Sequence, residues 1–361
     1  MQPKLTNILL ASAVTTALLT SGCAHGKVAS TSEEVVTTAS TMPSDAELRE
    51  LLVSFDVPGL AMATLTNCAV DDVRIIGTAD LESGAPVTPV TAFEAASLSK
   101  PLFAYLVLQL ADEGLIDLDA PMAPFSYPRI TDEAAFAQLT PRMVLTHRTG
   151  LPNWSGDSQQ EDRTDPVLFE APPGTRYSYS GEAFELLRAY VVDRTGLSLQ
   201  QLFEQRLGAL MPSSSFDGRL VGEATVSRAY ISATDDGSGR DLYLEPHETG
   251  AAWGLVTTAG DYAAFLSEVC RAETLSPELH ADMLTPQSPL PDGQSIAPSS
   301  MGLGWIIVQL GSETIAMHEG NNDEYRSLAA YLPETGEGYV LLTNGRNGAE
   351  LIMALMQEQN E

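Results

Sequence analysis

The segment from Ser97 to Glu113 carries apolar side chains on every side when it is drawn as a helix, among them Leu102, Phe103, Leu106, Leu108 and Leu110. A helix without a polar face must be covered all round by other elements. The fold therefore needs a core with a layer of structure on each side of this helix. A chain of 361 residues, 44% of them hydrophobic, is long and apolar enough to form one.

Strand and helix patterns surround this segment on both sides. A capped helix after Ser44 leads into strand-like runs at Leu60–Leu65 and Val70–Ile76. Helical pieces follow at Phe184–Thr195 and Leu199–Leu207. After these pieces the sequence predicts a helix at Ala259–Arg271 and then a loop rich in Pro and Ser at Ser276–Ser300. Three or four strands follow, and a last helix is expected at Gly348–Gln359. The strand-like runs are Leu303–Leu310, Thr314–His318, Arg326–Leu332 and Tyr339–Thr343.

This order predicts an α/β plus all-α architecture. Both ends of the chain are expected in one antiparallel sheet flanked by helices, with the middle as a helical insertion. The predicted α/β subdomain comprises residues 44–115 and 250–361, and the mainly helical subdomain comprises residues 116–249. A cleft between the two is the expected position of a functional site.

The first residues have the features of an export signal. A single Lys4 precedes a short apolar run, Ile8–Leu19, which is shorter than the ~20 residues that span a bilayer. Cys23 after Ser-Gly resembles the lipid attachment site of bacterial lipoproteins, although Thr20 stands where they usually have Leu. Cleavage without lipid is the alternative. We expect an exported, periplasmic, membrane-anchored lipoprotein with a signal peptide over 1–23 and a flexible tether over 24–43.

The charge balance excludes several classes of partner. With 19 basic and 48 acidic residues, the net charge of −29 argues against nucleic acid, which requires clustered Lys and Arg. It also argues against docking on anionic lipid, so the N-terminal lipid is the only membrane contact expected. No C-x-x-C, H-E-x-x-H, G-x-G-x-x-G or Walker pattern occurs, and we expect neither metal nor cofactor. Cys68 and Cys270 could form a disulfide or remain two buried thiols.

The pattern Ser97-x-x-Lys100 opens the apolar helix. A spacing of three places both side chains on one face, where a lysine with a lowered pKa could take the serine proton. The chain contains three lysines, and Lys100 is the only one outside the signal and the tether, whereas it contains sixteen arginines. Because arginine is effectively never deprotonated, a lone lysine beside a serine favours a catalytic role.

Two further segments carry candidate residues. Tyr179 lies in the run Thr175-Arg176-Tyr177-Ser178-Tyr179-Ser180-Gly181 and could act in proton transfer. His318-Glu319-Gly320-Asn321 ends a predicted strand, where a histidine and backbone N–H groups could face a ligand. Taken singly, the Tyr179 segment is better explained as a packed loop aromatic, and His318 is as well explained by a structural role as by function.

In this order the three segments resemble the serine beta-lactamase-like superfamily. That superfamily includes class C beta-lactamases, D-alanyl-D-alanine carboxypeptidases, D-aminopeptidases and related esterases. The phrases Val57–Ala61, Leu145–Leu151 and Gly302–Trp305 match it too, so the resemblance covers roughly residues 44–360. It implies a beta-lactamase/transpeptidase-like fold and an enzyme that needs no cofactor.

The resemblance also implies a role for each matching residue. Ser97 is similar to the acylated nucleophile, Lys100 to its base or electrostatic partner, and Tyr179 to the residue that carries protons to the leaving group. His318 stands at the position of the family's Lys or His. The backbone N–H groups of Ser97 and Asn321, beside Gly320, correspond to the oxyanion hole. His147 is expected to stabilise a turn.

Two departures from the family pattern bear on the substrate. Gly181 replaces the Asn that usually follows Tyr-x, and that Asn normally touches substrate. His318 replaces a lysine, and a histidine binds a carboxylate less reliably near neutral pH. Together they argue against efficient beta-lactam hydrolysis, and restoring Asn at position 181 is expected to favour amides or beta-lactams.

The sequence thus predicts an exported serine hydrolase that forms an acyl-enzyme. Its substrates are expected to be small esters, D-amino-acid amides or peptidoglycan-type peptides. The alternatives are a low-activity class C-like beta-lactamase or penicillin-binding D,D-carboxypeptidase, and a non-catalytic module that binds cell-wall peptides. The acyl group and the oligomeric state stay open.

Overall fold

The computed structural model of the protein describes residues 42–156, 164–220, 222–234, 250–291 and 297–357. The predicted signal peptide, Cys23 and nearly all of the predicted tether lie outside these residues. Within them the chain forms nine α-helices: α1 (Asp45–Ser54), α2 (Ser99–Asp112), α3 (Glu133–Phe136), α4 (Pro141–Leu145), α5 (Gly181–Thr195), α6 (Leu199–Arg206), α7 (Ala259–Arg271), α8 (Pro277–Met283) and α9 (Gly348–Gln357).

Strands in the same ranges form two sheets. Nine strands make one sheet in the order β3-β2-β1-β12-β11-β10-β9-β8-β7, and a small sheet has the order β5-β4-β6. The strands are β1 (Gly59–Thr66), β2 (Ala69–Asp80), β3 (Ala85–Pro86), β4 (Thr91–Glu94), β5 (Thr225–Val226), β6 (Val256–Thr257), β7 (Ser288–Pro289), β8 (Ser299–Met301), β9 (Ile306–Leu310), β10 (Glu313–Asn322), β11 (Tyr325–Leu332) and β12 (Glu337–Thr343).

The two ends of the chain meet in the large sheet. β1 and β12 are antiparallel neighbours, with Leu60 opposite Thr343 and Leu65 opposite Gly338. Every strand pair in this sheet is antiparallel. The prediction that the first and last strands share one antiparallel sheet is therefore confirmed. The predicted subdomain boundaries stay a prediction.

Alternating side chains of the sheet supply two separate cores. In β1, Leu60 and Met62 pack with α1 and α9 on one face. Ala61 and Ala63 face the larger core on the other side. Period-two alternation with apolar residues on both faces requires a layer of helix on each side, and the chain provides both.

α2 lies in the larger core, as the sequence predicted. Every residue from Ser99 to Leu110 is buried. Phe103 packs against Phe184 of α5, with ring centroids 6.3 Å apart, and Tyr105 packs edge-on against Phe265 of α7 at 5.5 Å. The helix is thus enclosed by neighbours on different sides, which explains why it lacks a polar face.

The segment expected to be a loop, Ser276–Ser300, is partly regular. It contains α8 and the short strands β7 and β8. Ser276 caps α8 by accepting from the N–H of Leu279, and Pro277 occupies the first helical turn. Serine and proline, which suggested a loop by composition, here form a helix start.

A disulfide joins Cys68 to Cys270, with their Cα atoms 5.5 Å apart. It connects the turn between β1 and β2 to the last turn of α7, which decides between the two alternatives left open by the sequence. In the described ranges no helix combines the length and apolarity needed to cross a bilayer.

Candidate active site

Ser97 lies in a 3-10 turn, Ala96–Leu98, immediately before α2. The sequence predicted that the α-helix would include Ser97, whereas it begins two residues later. Ala96 has a φ of +51°, in the left-handed region that residues with a Cβ rarely adopt. The carbonyl of Ala95 accepts from the hydroxyl of Ser327 on β11, which holds this strained turn against the sheet.

Strand β10 approaches the same turn through Gly320. A Cβ at Gly320 would lie 2.4 Å from the carbonyl oxygen of Ala95 and 3.1 Å from the Cβ of Ala96. Only a residue without a side chain allows this approach. Asn321, the next residue of β10, is opposite Arg326 of β11. Its pairing with Ser97 as an oxyanion hole stays a prediction.

Lys100 is buried beside the Ser97 hydroxyl. Its Nζ lies 3.0 Å from Ser97 Oγ and donates to the carbonyl oxygen of Ala252 at 2.7 Å. Burial lowers the pKa of Lys100 from 10.5 to about 7, and the negative charge of Glu185 partly opposes this shift. A substantial fraction of Lys100 is therefore neutral near pH 7 and able to accept a proton.

Tyr179 contacts the same serine from the other side. Its hydroxyl donates to Ser97 Oγ at 2.9 Å, and its ring centroid lies 4.8 Å from Lys100 Nζ. Burial raises the pKa of Tyr179 well above its ordinary value of 10. The phenol is thus protonated at neutral pH and acts as a hydrogen-bond donor rather than as a base.

His147 packs against the ring of Tyr179. The two rings pack with centroids 4.3 Å apart, and Nδ1 of His147 accepts from the backbone N–H of Ser180. Burial, together with the charge of Lys100, lowers the pKa of His147 well below 6.5. This neutral, fully enclosed imidazole orients the tyrosine, and in the part of the chain that the structure describes no hydrogen bond joins it to Ser97.

His318 on β10 carries no positive charge at neutral pH. Burial and the charge of Lys100 lower its pKa to about 3. Nδ1 lies 2.7 Å from the carbonyl oxygen of Glu319, which can only accept, so Nδ1 carries the proton. Its Nε2 is then a bare acceptor, buried and without a hydrogen-bond partner among the described residues.

Gly181 opens α5, and its N–H donates to Oδ1 of Asn153. The indole of Trp154 fills the space beside it, because a Cβ at Gly181 would lie 2.3 Å from two ring carbons. Gly181 is not among the glycines with positive φ. Glycine is thus required at this position for space rather than for backbone conformation.

Three contributors to the site were missed in the sequence. The fold brings Trp154 and Glu185 to the site, and neither residue belongs to a recognisable sequence motif. Ala252 acts through its backbone carbonyl, which no residue type reveals. The structure brings Ser97, Lys100 and Tyr179 together, with His318 packed against Tyr179 at a centroid distance of 6.3 Å.

Residues 45–357 match the family model described as beta-lactamase. The chain belongs to the beta-lactamase family. Its relatives in this family of serine hydrolases include a D-aminopeptidase of Gluconobacter oxydans, 24% identical over 86% of this chain and 60% of the relative. Esterase EstB of Burkholderia gladioli is 39% identical over 35% of this chain and 38% of the esterase. This beta-lactamase-family chain thus spans less than two thirds of either relative.

Penicillin-binding protein 4 of Amycolatopsis lactamdurans is 24% identical over 84% of both chains. Among solved structures, a penicillin binding protein from Bacillus halodurans superposes with a TM-score of 0.71 at 23% identity, over 86% of this chain and 98% of that one. A penicillin-binding protein homologue from Pyrococcus abyssi has a TM-score of 0.69 at 22% identity, over 87% and 76%. The beta-lactamase/transpeptidase-like fold expected from the sequence is therefore confirmed.

Proposed function

We propose that the protein is a serine hydrolase that forms an acyl-enzyme on Ser97. The observation that carries this proposal is the double contact of the Ser97 hydroxyl. One neighbour, Lys100, has a pKa lowered to about 7, and the other, Tyr179, keeps its proton. A base and an acid are thus held against one nucleophile, the arrangement that acyl transfer requires.

The reaction follows from these protonation states. Neutral Lys100 takes the proton of Ser97 as Oγ forms a bond to the substrate carbonyl carbon. The bond from that carbon to the leaving group then breaks, and the leaving group takes the proton of Tyr179, which is replaced from the Lys100 ammonium. Water adds to the acyl carbon by the same proton route in reverse and releases the acid, restoring Ser97.

The charge of the site favours esters and amides without a carboxylate. Neutral His318 offers no ion pair to a substrate carboxylate. The resemblance nevertheless places it at the position of the Lys or His with which relatives bind such a carboxylate. Small esters and D-amino-acid amides are therefore the substrates we propose. The names esterase and D-aminopeptidase among the relatives support this choice.

A D,D-carboxypeptidase that binds penicillin is the second candidate. The penicillin-binding relative aligns over 84% of its own length, more than the D-aminopeptidase or the esterase. Export remains our proposal for localisation, supported by the Cys68–Cys270 disulfide, because disulfides persist in oxidising compartments. Lipidation of Cys23 is part of the same proposal.

Kinetics on a matched substrate panel tests the choice. We expect higher kcat/KM for a p-nitrophenyl ester and a D-amino-acid p-nitroanilide than for a peptide ending in D-Ala-D-Ala. A second arm measures intact mass after incubation with benzylpenicillin. A stable penicillin adduct together with preferential release of D-Ala would overturn the ester and amide assignment in favour of the carboxypeptidase. Turnover of none of these substrates would favour the non-catalytic binding module.

A further inference from the structure

Glu185 has a buried carboxylate close to the proposed catalytic lysine. The residue lies one turn into α5, and its side chain is 8% exposed. One oxygen, Oε2, accepts from Nε of Arg188 at 2.8 Å. The other, Oε1, accepts from the backbone N–H of Ala252 at 3.0 Å. Oε1 thus joins α5 to the segment that precedes β6, while Oε2 stays paired within the helix.

The peptide groups on either side of Ala252 relay this contact to Lys100. The N–H of Ala252 is held by Glu185, and its carbonyl oxygen accepts from Lys100 Nζ at 2.7 Å. The backbone is packed tightly here, because a Cβ at Gly250 would lie 2.2 Å from Oε1 of Glu185. A shift of the carboxylate would therefore move the carbonyl that holds Lys100 against Ser97.

Glu185 also acts on Lys100 through its negative charge, which opposes the effect of burial on the pKa of Lys100. Lys100 is surrounded by Tyr179, His147 and His318 from the other packed elements. The two histidines are neutral and the phenol is protonated, since burial shifts the pKa of each toward its uncharged form. The carboxylate of Glu185 therefore adds an electrostatic stabilisation of the Lys100 ammonium that none of these three uncharged side chains supplies.

We propose that Glu185 is a positioning residue of the active site, which fixes the Ala252 carbonyl and places a negative charge behind Lys100. This inference rests on the proposed function. Against the larger effect of burial, the carboxylate raises the pH at which Lys100 becomes a base, and through Ala252 it fixes the direction in which Lys100 Nζ points. A mere helix-stabilising ion pair with Arg188 would do neither.

The test is the pH dependence of kcat/KM for a p-nitrophenyl ester. In the unaltered protein, activity is expected to fall below about pH 7, where Lys100 is protonated. Glu185→Gln keeps an oxygen for Ala252 but removes the charge, so the acid limb moves to lower pH by about one unit. Glu185→Ala removes both the oxygen and the charge, so the maximal kcat/KM on the high-pH side of the limb should fall roughly tenfold. In Glu185→Gln this maximal value should stay close to that of the unaltered protein.

Two further variants complete the test, the first as a control and the second as a prediction of the opposite shift. Asp193→Asn removes a negative charge from an exposed position on the same helix, and neither the limb nor the plateau is expected to move. Arg188→Gln removes the cation that faces Glu185, so the acid limb moves to higher pH. This opposite shift tests the inference even where Glu185→Gln does not fold.

Failure of the inference is distinguishable from failure of the proposed function. Unmoved acid limbs in folded Glu185→Gln and Arg188→Gln, with wild-type activity that requires Ser97, would overturn the role of Glu185 alone. Wild-type activity that survives Ser97→Ala would overturn the proposed function and this inference with it.

Discussion

The indole of Trp154 lies where a side chain at Gly181 would project, with two ring carbons 2.3 Å from the ideal Cβ position. The loop that carries Trp154 is fastened to the first turn of α5. The N–H of Glu182 donates to the carbonyl of Asn153, and the carboxylate of Glu182 accepts from the N–H of Ser155. Arg129 pairs with the same carboxylate at 2.7 Å. The indole therefore has little freedom to move away.

Gly181→Asn is consequently expected to destabilise the protein. This differs from the expectation drawn from the sequence, in which Asn simply adds a substrate contact. Overpacking against Trp154 should cost about 1–3 kcal/mol of unfolding free energy. Chemical denaturation measures it. A variant as stable as the parent, with a raised ratio of beta-lactam to ester kcat/KM, would restore the original expectation.

Removing the indole should relieve that strain. In the double variant Trp154→Ala/Gly181→Asn, the Asn side chain enters the vacated space. We expect a favourable coupling of at least about 1 kcal/mol in a double-mutant cycle of unfolding free energies. Trp154→Ala alone is the matched control, because it leaves a cavity without filling it. Strict additivity of the two changes would show that the residues do not compete for space.

Tyr179→Phe should affect substrates according to their leaving groups. The ring and its packing on His147 remain, while the hydroxyl that donates to Ser97 is lost. An alkyl ester or amide needs a proton on its leaving group, so kcat/KM should fall about 10²-fold or more. p-Nitrophenolate leaves without one, and its ester should lose far less. Equal losses on both substrates would mean that the hydroxyl serves Ser97 rather than the leaving group.

Lys100→Met should change stability in a pH-dependent way. The folded-state pKa of Lys100, about 7, lies below its ordinary value of 10.5. The buried charge therefore costs stability at every pH below about 7, and the cost declines as pH rises toward 10.5. The stability of Lys100→Met relative to the parent should be about 2–3 kcal/mol greater at pH 6 than at pH 9. A difference independent of pH would show that Lys100 titrates normally.

Local spacing made part of the site predictable. Ser97 and Lys100 lie within one turn, so their contact follows from local geometry, and the scarcity of lysine marked Lys100 as special. The shared sheet was predictable because strand-like apolar runs occur near both ends of the chain, and their nearly continuous apolar character indicates strands buried on both faces. The 3-10 turn at Ser97 was not, because the strained φ of Ala96 is imposed by packing against β10 and β11.

The remaining contributors depend on contacts between residues distant in sequence. Glu185 and Ala252 meet across 67 positions, and Lys100 and Ala252 across 152. In the sequence, position 181 is a Gly where the family usually has Asn. Only the fold reveals that Trp154 fills the space that an Asn side chain would need. Likewise, the neutral state of His318 follows from burial that the residue type does not disclose.

The central claim is that Ser97 is the nucleophile, and covalent labelling tests it most directly. The protein is incubated with a fluorophosphonate probe, and intact mass and peptide mapping locate the adduct. Ser99→Ala is the matched control, since the Ser99 hydroxyl is occupied between the carbonyl of Ala96 and the N–H of Leu255. We expect one adduct on Ser97 in the parent and in Ser99→Ala, and none in folded Ser97→Ala. An adduct that persists in Ser97→Ala, or that maps to another residue in the parent, would contradict the account.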